Sequence, residues 1–265
     1  MLELNQNNIV KLIRDGERVD DRDFDEYRDV EIIPNYVHET ANGSAMVRIG
    51  DTKVLVGISI DTDEPYPDTP KQGALVTNVE LTPMAAPRYE TGPPGDEAIE
   101  IARVVDRGIR ESGMIDLEDL IIEEGEKSWT VFIDIHVVDY DGSLIDAASI
   151  GAATSLLLAD MPELNEDGTV NREETQGPLP TEGLPLTLTG SKVADEILFD
   201  TTAEEEEVRD ARLTATFTEE GNVVNMQKGE PSPLTQDEIM DILHRTADKA
   251  DMLREKVREA VEEAE

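Results

Sequence analysis

The sequence contains no cysteine, which excludes disulfide bonds, thiolate metal sites and cysteine nucleophiles together. It also lacks any apolar run near the roughly 20 residues that a membrane span needs. The first residues, from Met1 to Asn5, have neither the basic flank nor the apolar core of a signal peptide. We therefore expect a cytoplasmic protein with no membrane partner.

Basic residues are scarce. There are 23 lysines and arginines, only eight of them lysine, against 61 aspartates and glutamates, a net charge of −38. Such a charge repels nucleic acid at long range unless cations are locally concentrated or a partner supplies them. Because the acidic residues are spread over the whole chain, we interpret them as a solvated, halophilic surface adapted to high salt, which shortens the reach of self-repulsion.

Three common catalytic motifs are absent as well: a serine nucleophile elbow, a Walker A loop and a dinucleotide-binding fingerprint. Hydrolase, kinase and dehydrogenase chemistry of the usual kinds therefore has no basis in this sequence. We expect no cofactor.

Strand-like runs precede helical segments twice along the chain, which predicts an α+β protein of two related halves. We expect an N-terminal helix and opening segment over residues 1–28, a first domain over 29–165, and a second domain over 184–265 that ends in a long helix. The stretch from Met161 to Gly183 is polar and punctuated by prolines, so it is predicted as the domain boundary.

Local signals place several elements. Gly50 and Gly190 each lie between β-rich runs and predict hairpin turns. A helix is predicted from Glu97 to Ser112, followed by a glycine that stops it. Small residues predict a second helix from Ala147 to Asp160 that packs closely on a sheet. A capping box at Thr235 begins the last helix.

The most informative local feature is the arginine face of the first of these helices. At 100° per residue, Arg107 and Arg110 lie about 40° and 20° from Arg103 on the helix surface. A guanidinium can hold phosphate oxygens with two hydrogen bonds, so this ridge predicts contacts along a nucleic-acid backbone. The alternative is a surface ridge paired with local acids such as Glu100 and Asp106. The residues expected to face the core on the opposite side are Ala98, Ile101, Val105 and Ile109.

An acid-rich stretch contains Asp200, Glu204 to Glu207, and Asp210. Clustered carboxylates can bind Mg²⁺ through a few oxygens. However, a charge run before a strand is more often a solvated turn. We expect the turn, and no metal site.

Four segments carry a family resemblance when they are taken in order: Gly16 to Arg28, Gly43 to Val54, Tyr89 to Pro94, and Asp141 to Ala148. Together they are similar to the RNase PH family, and within it to the non-catalytic ring subunits of archaeal exosomes. In the opening segment, Asp21 stands where the family usually has glycine. The similarity covers nearly the whole chain and implies the RNase PH fold, which is like domain 2 of ribosomal protein S5.

Members of this family degrade RNA from its 3′ end by phosphorolysis. The resemblance implies a hetero-hexameric ring in which this chain alternates with a catalytic RNase PH-like subunit. It also implies RNA-binding cap subunits and single-stranded RNA as partners. Arg103 and Arg107 match positions at which the non-catalytic subunit contacts RNA, and Arg110 completes the ridge.

The catalytic pattern of the family is broken in this chain. Active members carry an arginine for the attacking phosphate where this sequence has Ile145, beside Leu144, and neither side chain can neutralise an anion. Asp210 is the candidate counterpart of the catalytic aspartate, but Ala211 to Leu213 replaces the apolar continuation of active members. We therefore expect no catalytic residue, unless another cation reaches the space beside Ile145.

Two other functions stay open at this point. A self-sufficient phosphate-dependent 3′→5′ exoribonuclease would need a cation near Ile145. A binding module of the same fold outside RNA decay would not associate with a more complete RNase PH-like paralogue.

Overall fold

Three sheets and five helices form the described part of the chain, residues 2–37 and 39–264, in the computed structural model. The helices are α1 (Leu2–Arg14), α2 (Asp96–Ser112), α3 (Leu144–Leu157), α4 (Ala203–Glu206) and α5 (Gln236–Glu262). The strands are β1 (Val30–Pro34), β2 (Gly43–Ile49), β3 (Thr52–Asp63), β4 (Ala74–Leu81), β5 (Ile121–Glu123), β6 (Lys127–Asp139), β7 (Asp160–Leu164), β8 (Val170–Pro178), β9 (Leu186–Val193), β10 (Glu196–Phe199), β11 (Ala211–Phe217) and β12 (Val223–Gly229). The predicted α+β architecture is confirmed.

The first sheet has the strand order β1-β2-β3-β6-β4, and β5 pairs with β6. Its neighbours are antiparallel except β4, which runs parallel to β6. The predicted hairpin at Gly50 is confirmed: this residue joins β2 to β3 with φ +55°, a conformation that glycine adopts at little cost. Along β3, buried side chains alternate with partly exposed ones, so one face of the sheet is apolar.

The second sheet has the order β10-β9-β11-β12 and is antiparallel throughout. The predicted turn at Gly190 is wrong, because β9 continues through it and the chain turns at Ala194 and Asp195, both with positive φ. Gly190 serves close packing instead. A Cβ atom there would lie 2.6 Å from Cγ2 of Ile242 in α5.

The stretch predicted as a polar boundary also folds. Within it, β7 and β8 pair as an antiparallel two-stranded sheet. Most side chains of β8 are exposed, so its sequence lacks the apolar alternation by which a half-buried strand is recognised.

Helix α3 lies between the two large sheets. It packs on β2 and β3 of the first sheet and on β9 of the second, and nearly all of its side chains are buried. It begins at Leu144, ahead of the predicted start at Ala147, and the side chains of Leu144 and Ile145 are buried in the core. One apolar core therefore extends through both sheets.

The other long helices cover the flanks of this core. α2 packs on β4 and β12, and α5 lies across β9, β11 and β1. The capping box of α5 is confirmed: the Glu238 N–H donates to Thr235 Oγ1 at 3.2 Å, and the Thr235 N–H donates to the Glu238 carboxylate at 2.7 Å. In residues 2–37 and 39–264, no helix is both long and apolar enough to span a bilayer.

Candidate nucleic-acid interface and adjacent pocket

The arginine face of α2 has the geometry that its periodicity predicted. Arg103, Arg107 and Arg110 are all exposed on one side of the helix. The predicted core residues on the other side are buried: Ala98, Ile101, Val105 and Ile109. The helix ends at Gly113, which has φ +74° and caps it with an N–H bond to the carbonyl of Arg110.

The three arginines differ in their partners. Arg110 Nε lies 3.2 Å from Asp106 Oδ2, and its Nη2 donates to the Leu75 carbonyl at 3.1 Å. By contrast, Arg103 and Arg107 form no ion pair or hydrogen bond with the described residues. The alternative of a ridge neutralised by neighbouring acids therefore holds for Arg110 alone.

Unpartnered cations are rare elsewhere in the described part of the chain. Among residues 2–37 and 39–264, the other basic side chains without such a partner are Lys11 and Arg14 of α1. In a chain of net charge −38, most guanidiniums are thus held by carboxylates. Arg103 and Arg107, one helical turn apart, are available for an external anion.

A pocket of about 250 Å³ lies beside Leu144 and Ile145 at the start of α3. Three arginines, Arg88, Arg209 and Arg212, also line it. The space beside Ile145 therefore does contain cations, although no local motif indicated them. They come from three parts of the chain, the loop before α2, the segment after α4, and β11, which only the fold brings together.

Carboxylates neutralise each of these arginines. The shortest ion-pair distances are 2.6 Å for Arg88–Glu97, 2.7 Å for Arg209–Glu230 and 2.6 Å for Arg212–Glu100. The carboxylates that line the pocket are Glu97, Glu100, Glu206, Glu207 and Glu230. Three guanidiniums against five carboxylates give the pocket a net negative charge, which opposes the entry of orthophosphate.

Glu206 occupies the donors at the start of α3. The Ser143 N–H donates to its Oε1 at 3.0 Å, and the Tyr140 hydroxyl donates to its Oε2 at 2.7 Å. Arg209 approaches the same carboxylate at 3.4 Å. A helix N-terminus with a nearby guanidinium favours an anion, and here the protein supplies that anion itself.

The acid-rich stretch is only partly the solvated turn that its composition predicted, since Glu204, Glu207 and Asp210 are exposed. Asp200 and Glu205 are buried, and both are bound by arginines of the opening segment. Arg28 holds Asp200 at 2.6 Å, and Arg18 holds Glu205 at 2.6 Å. Although burial favours the protonated acid, hydrogen bonds and charge from Arg28 lower the pKa of Asp200.

Asp210 serves a turn rather than the pocket. Its Oδ2 accepts the Ala194 N–H at 2.9 Å and so secures the tight connection between β9 and β10. Asp21, where the resembling family usually has glycine, has φ +61°, a left-handed conformation that aspartate tolerates better than most residues.

Asp146 in α3 gives a pH-dependent prediction. It is 1% exposed and accepts a hydrogen bond from the Tyr27 hydroxyl at 2.7 Å. Burial raises the pKa of Asp146 from 3.8 to about 7, against the lowering effect of the Tyr27 hydrogen bond. The folded state therefore holds this proton more tightly than the unfolded chain. The stability that this provides is complete below about pH 4 and is lost as the pH rises through 7.

We expect Asp146→Asn, which keeps an acceptor for Tyr27, to match the wild type near pH 4. At pH 8 the variant should be more stable by about 4 kcal/mol, since the pKa rises from 3.8 to about 7 and one pKa unit corresponds to about 1.4 kcal/mol. Denaturant unfolding across a pH series measures the difference. Parallel stability profiles for the two proteins would contradict the assignment.

Comparison with known proteins places this architecture in a family. Domain 1 of the 3′ exoribonuclease family (RNase PH) matches residues 26–162, and domain 2 matches residues 183–249. The chain belongs to the 3′ exoribonuclease family. The resemblance seen in the opening, central and helical segments is confirmed, as is the RNase PH fold that it implied.

Similar members of the 3′ exoribonuclease family cover nearly the whole chain. The exosome complex component Rrp42 of Thermococcus kodakarensis is 46% identical over 264 residues, 98% of this chain and 97% of that protein. The Methanopyrus kandleri component of the same name is 44% identical over 257 residues, 96% of each chain.

Among solved structures, a chain of the Archaeoglobus fulgidus exosome with RNA bound to the active site is 44% identical, with a TM-score of 0.90 over 96% of this chain and 98% of that one. A chain of an archaeal exosome core is 41% identical, with a TM-score of 0.86 over 97% of each.

Proposed function

We propose that this chain is a non-catalytic ring subunit of an RNA exosome. In this role it scaffolds a catalytic RNase PH-like subunit and contributes arginines to the RNA path during phosphorolytic 3′→5′ degradation. The relatives that it resembles over nearly their full length are named exosome complex components. One similar structure is described as an exosome with RNA bound.

The observation that carries the RNA-binding part is the pair of unpartnered guanidiniums on α2. Arg103 and Arg107 are exposed and one turn apart, a spacing that suits successive phosphates of a strand. Arg110 lies on the same face, but its contacts to Asp106 and Leu75 engage it already. We assign it a minor role.

The non-catalytic part rests on the pocket beside Ile145. Phosphorolysis requires a cationic environment, since negative charge accumulates on the attacked phosphoryl oxygens. Here carboxylates outnumber guanidiniums, and Glu206 already accepts the N–H at the start of α3. Both features disfavour a bound orthophosphate.

The partners in this proposal are a catalytic RNase PH-like subunit in a hetero-hexameric ring, RNA-binding cap subunits and single-stranded RNA, in the cytoplasm. The acidic surface fits a salt-adapted cell. High salt weakens binding that depends on counterion release. At high salt, a few short-range arginine contacts within the ring then bind RNA better than a broad basic face.

The proposal predicts no turnover by the isolated chain. Incubation of the purified protein with RNA and inorganic phosphate should release no nucleoside diphosphate, whereas the co-expressed complex with its catalytic paralogue should degrade the RNA. Ile145→Arg alone should not create activity, because the Glu206 carboxylate still fills the anion position.

Nucleoside diphosphate released by the isolated wild-type chain would instead identify a self-sufficient exoribonuclease. The catalytic paralogue without this chain serves as the control for the role in assembly. Failure of the two chains to co-purify would favour a binding module outside RNA decay.

A further inference from the structure

A cleft of about 390 Å³ lies between α2 and the edge strand β12, directly beside Arg103 and Arg107. Its volume is at the lower end of the roughly 300–1,000 Å³ typical of small-ligand sites. The cleft is therefore about the size for one small planar group, and the two unpartnered guanidiniums stand at its rim.

The α2 wall of the cleft carries two apolar side chains among charged ones. Ile99 lies one helical turn before Arg103 and remains 47% exposed. Val104 forms the floor. A flat apolar ligand that packs on this exposed isoleucine would bury apolar surface, which favours binding.

The β12 wall carries two amides. Asn225 is only 7% exposed, and its Nδ2 donates to the Val104 carbonyl at 3.4 Å. Gln227 Nε2 donates to Glu100 Oε1 at 3.3 Å. Because both amide nitrogens bond towards α2, their carbonyl oxygens are left as acceptors. Amide groups of this kind recognise the polar edges of bases.

The combined chemistry of the cleft fits a nucleotide. Its lining is mostly polar, with Ile99 and Val104 as the apolar residues and the amides of Asn225 and Gln227 on the other wall. Asp96 and Glu100 also line it, but Glu100 is paired with Arg212, so the unpartnered cations Arg103 and Arg107 remain available for an anion. A strand of RNA supplies both parts, with its phosphates outside and a base that can turn inward. A protein segment would need an acidic residue and an apolar residue at fixed spacing to match the same features.

We propose that this cleft holds one nucleobase of an RNA strand whose phosphates lie on Arg103 and Arg107. The inference rests on the proposed function and adds a base contact to it. Ile99 is the apolar surface against which the base packs, and Asn225 and Gln227 face its edge.

The test compares two fluorescein-labelled strands of equal length, an oligoadenylate and an abasic ribose-phosphate chain, by fluorescence anisotropy. The full-length chain is measured alone and in the assembled complex. Ile99→Ser should weaken binding of the oligoadenylate about fivefold, because it removes the apolar surface. It should leave binding of the abasic strand unchanged.

The matched control is Ile122→Ser, the same substitution at another exposed isoleucine, on β5 away from the cleft. It should change neither affinity. Equal loss for both strands, or no loss for the oligoadenylate, would overturn the base contact. The double variant Arg103→Ala/Arg107→Ala separates the two hypotheses: if it weakens both strands while Ile99→Ser weakens neither, the RNA-binding role stands and the cleft does not hold a base.

Discussion

Replacing Arg103 and Arg107 together by alanine is expected to weaken RNA binding by the assembled complex about 100-fold or more. Each guanidinium supplies a charge-assisted contact to phosphate worth roughly 1.5–3 kcal/mol, and about 1.4 kcal/mol corresponds to a tenfold change in affinity. Neither side chain has a partner within the described chain, so its loss leaves no internal carboxylate unpaired and removes only the contact to RNA. The full effect should therefore appear in the binding constant.

The salt dependence gives a second measurement of the same contacts. Each neutralised phosphate of a single strand contributes roughly 0.7 to the slope of log affinity against log salt, so the double variant should flatten that slope by about 1.4. The matched control is Arg48→Ala/Arg172→Ala, which removes the same charge from exposed pairs with Glu31 and Asp61. An equal loss in the control would show that net charge alone explains the effect.

Arg110→Ala provides the internal comparison on the same helix. Because Arg110 is bound to Asp106 and to the Leu75 carbonyl, we expect less than about a threefold loss of affinity, equivalent to well under 1 kcal/mol. A loss as large as that of Arg107→Ala would place Arg110 in the RNA path as a full member of the ridge.

Arg18→Ala is expected to cost about 3–5 kcal/mol of folding stability and roughly 10 °C in melting temperature. Arg18 and Glu205 are both fully buried, and their shortest contact is 2.6 Å. Arg18 also donates to the carbonyls of Phe199 and Asp200 at 3.1 and 2.8 Å. Truncation leaves the Glu205 charge and these carbonyls without their donor in a site that water does not reach.

Thermal and denaturant unfolding measure this loss against Arg172→Ala, whose exposed pair with Asp61 should contribute no more than about 0.5 kcal/mol. Replacing both buried partners, as in Arg18→Met/Glu205→Leu, should recover part of the stability, because no unpaired charge then remains, although the Phe199 and Asp200 carbonyls and the Thr202 N–H still lack their partners. If the single variant is as stable as the control, the pair does not hold the opening segment in place.

Local patterns were sufficient for much of the fold and for the arginine ridge. The 3.6-residue period of α2 predicted both its buried face and its exposed arginines, and the glycine at position 50 predicted its hairpin. These patterns depend on residues close together in sequence, so tertiary packing did not alter the elements that they predict. The turn predicted at Gly190 is wrong because a turn and a close helix contact both require a small residue, and only the position of Ile242 distinguishes them.

The pocket could not be predicted in the same way. Arg88, Arg209 and Arg212 reach Ile145 from segments that share no local motif with it. Part of the acid-rich stretch differs from its prediction for a similar reason: Glu205 is buried because Arg18, 187 positions earlier, binds it. The acidic composition of such a run predicts exposed residues, whereas ion pairs with arginines distant in sequence bury part of it.

The position of α3 between the two sheets has a consequence for the integrity of the molecule. Because α3 is buried on nearly every side, separating the two sheets would expose one flank of the helix to water, whichever sheet it remained with. The segment that connects the two sheets is thus not a site at which the chain could be divided into two stable parts. We therefore expect the two domains to unfold together in one cooperative transition.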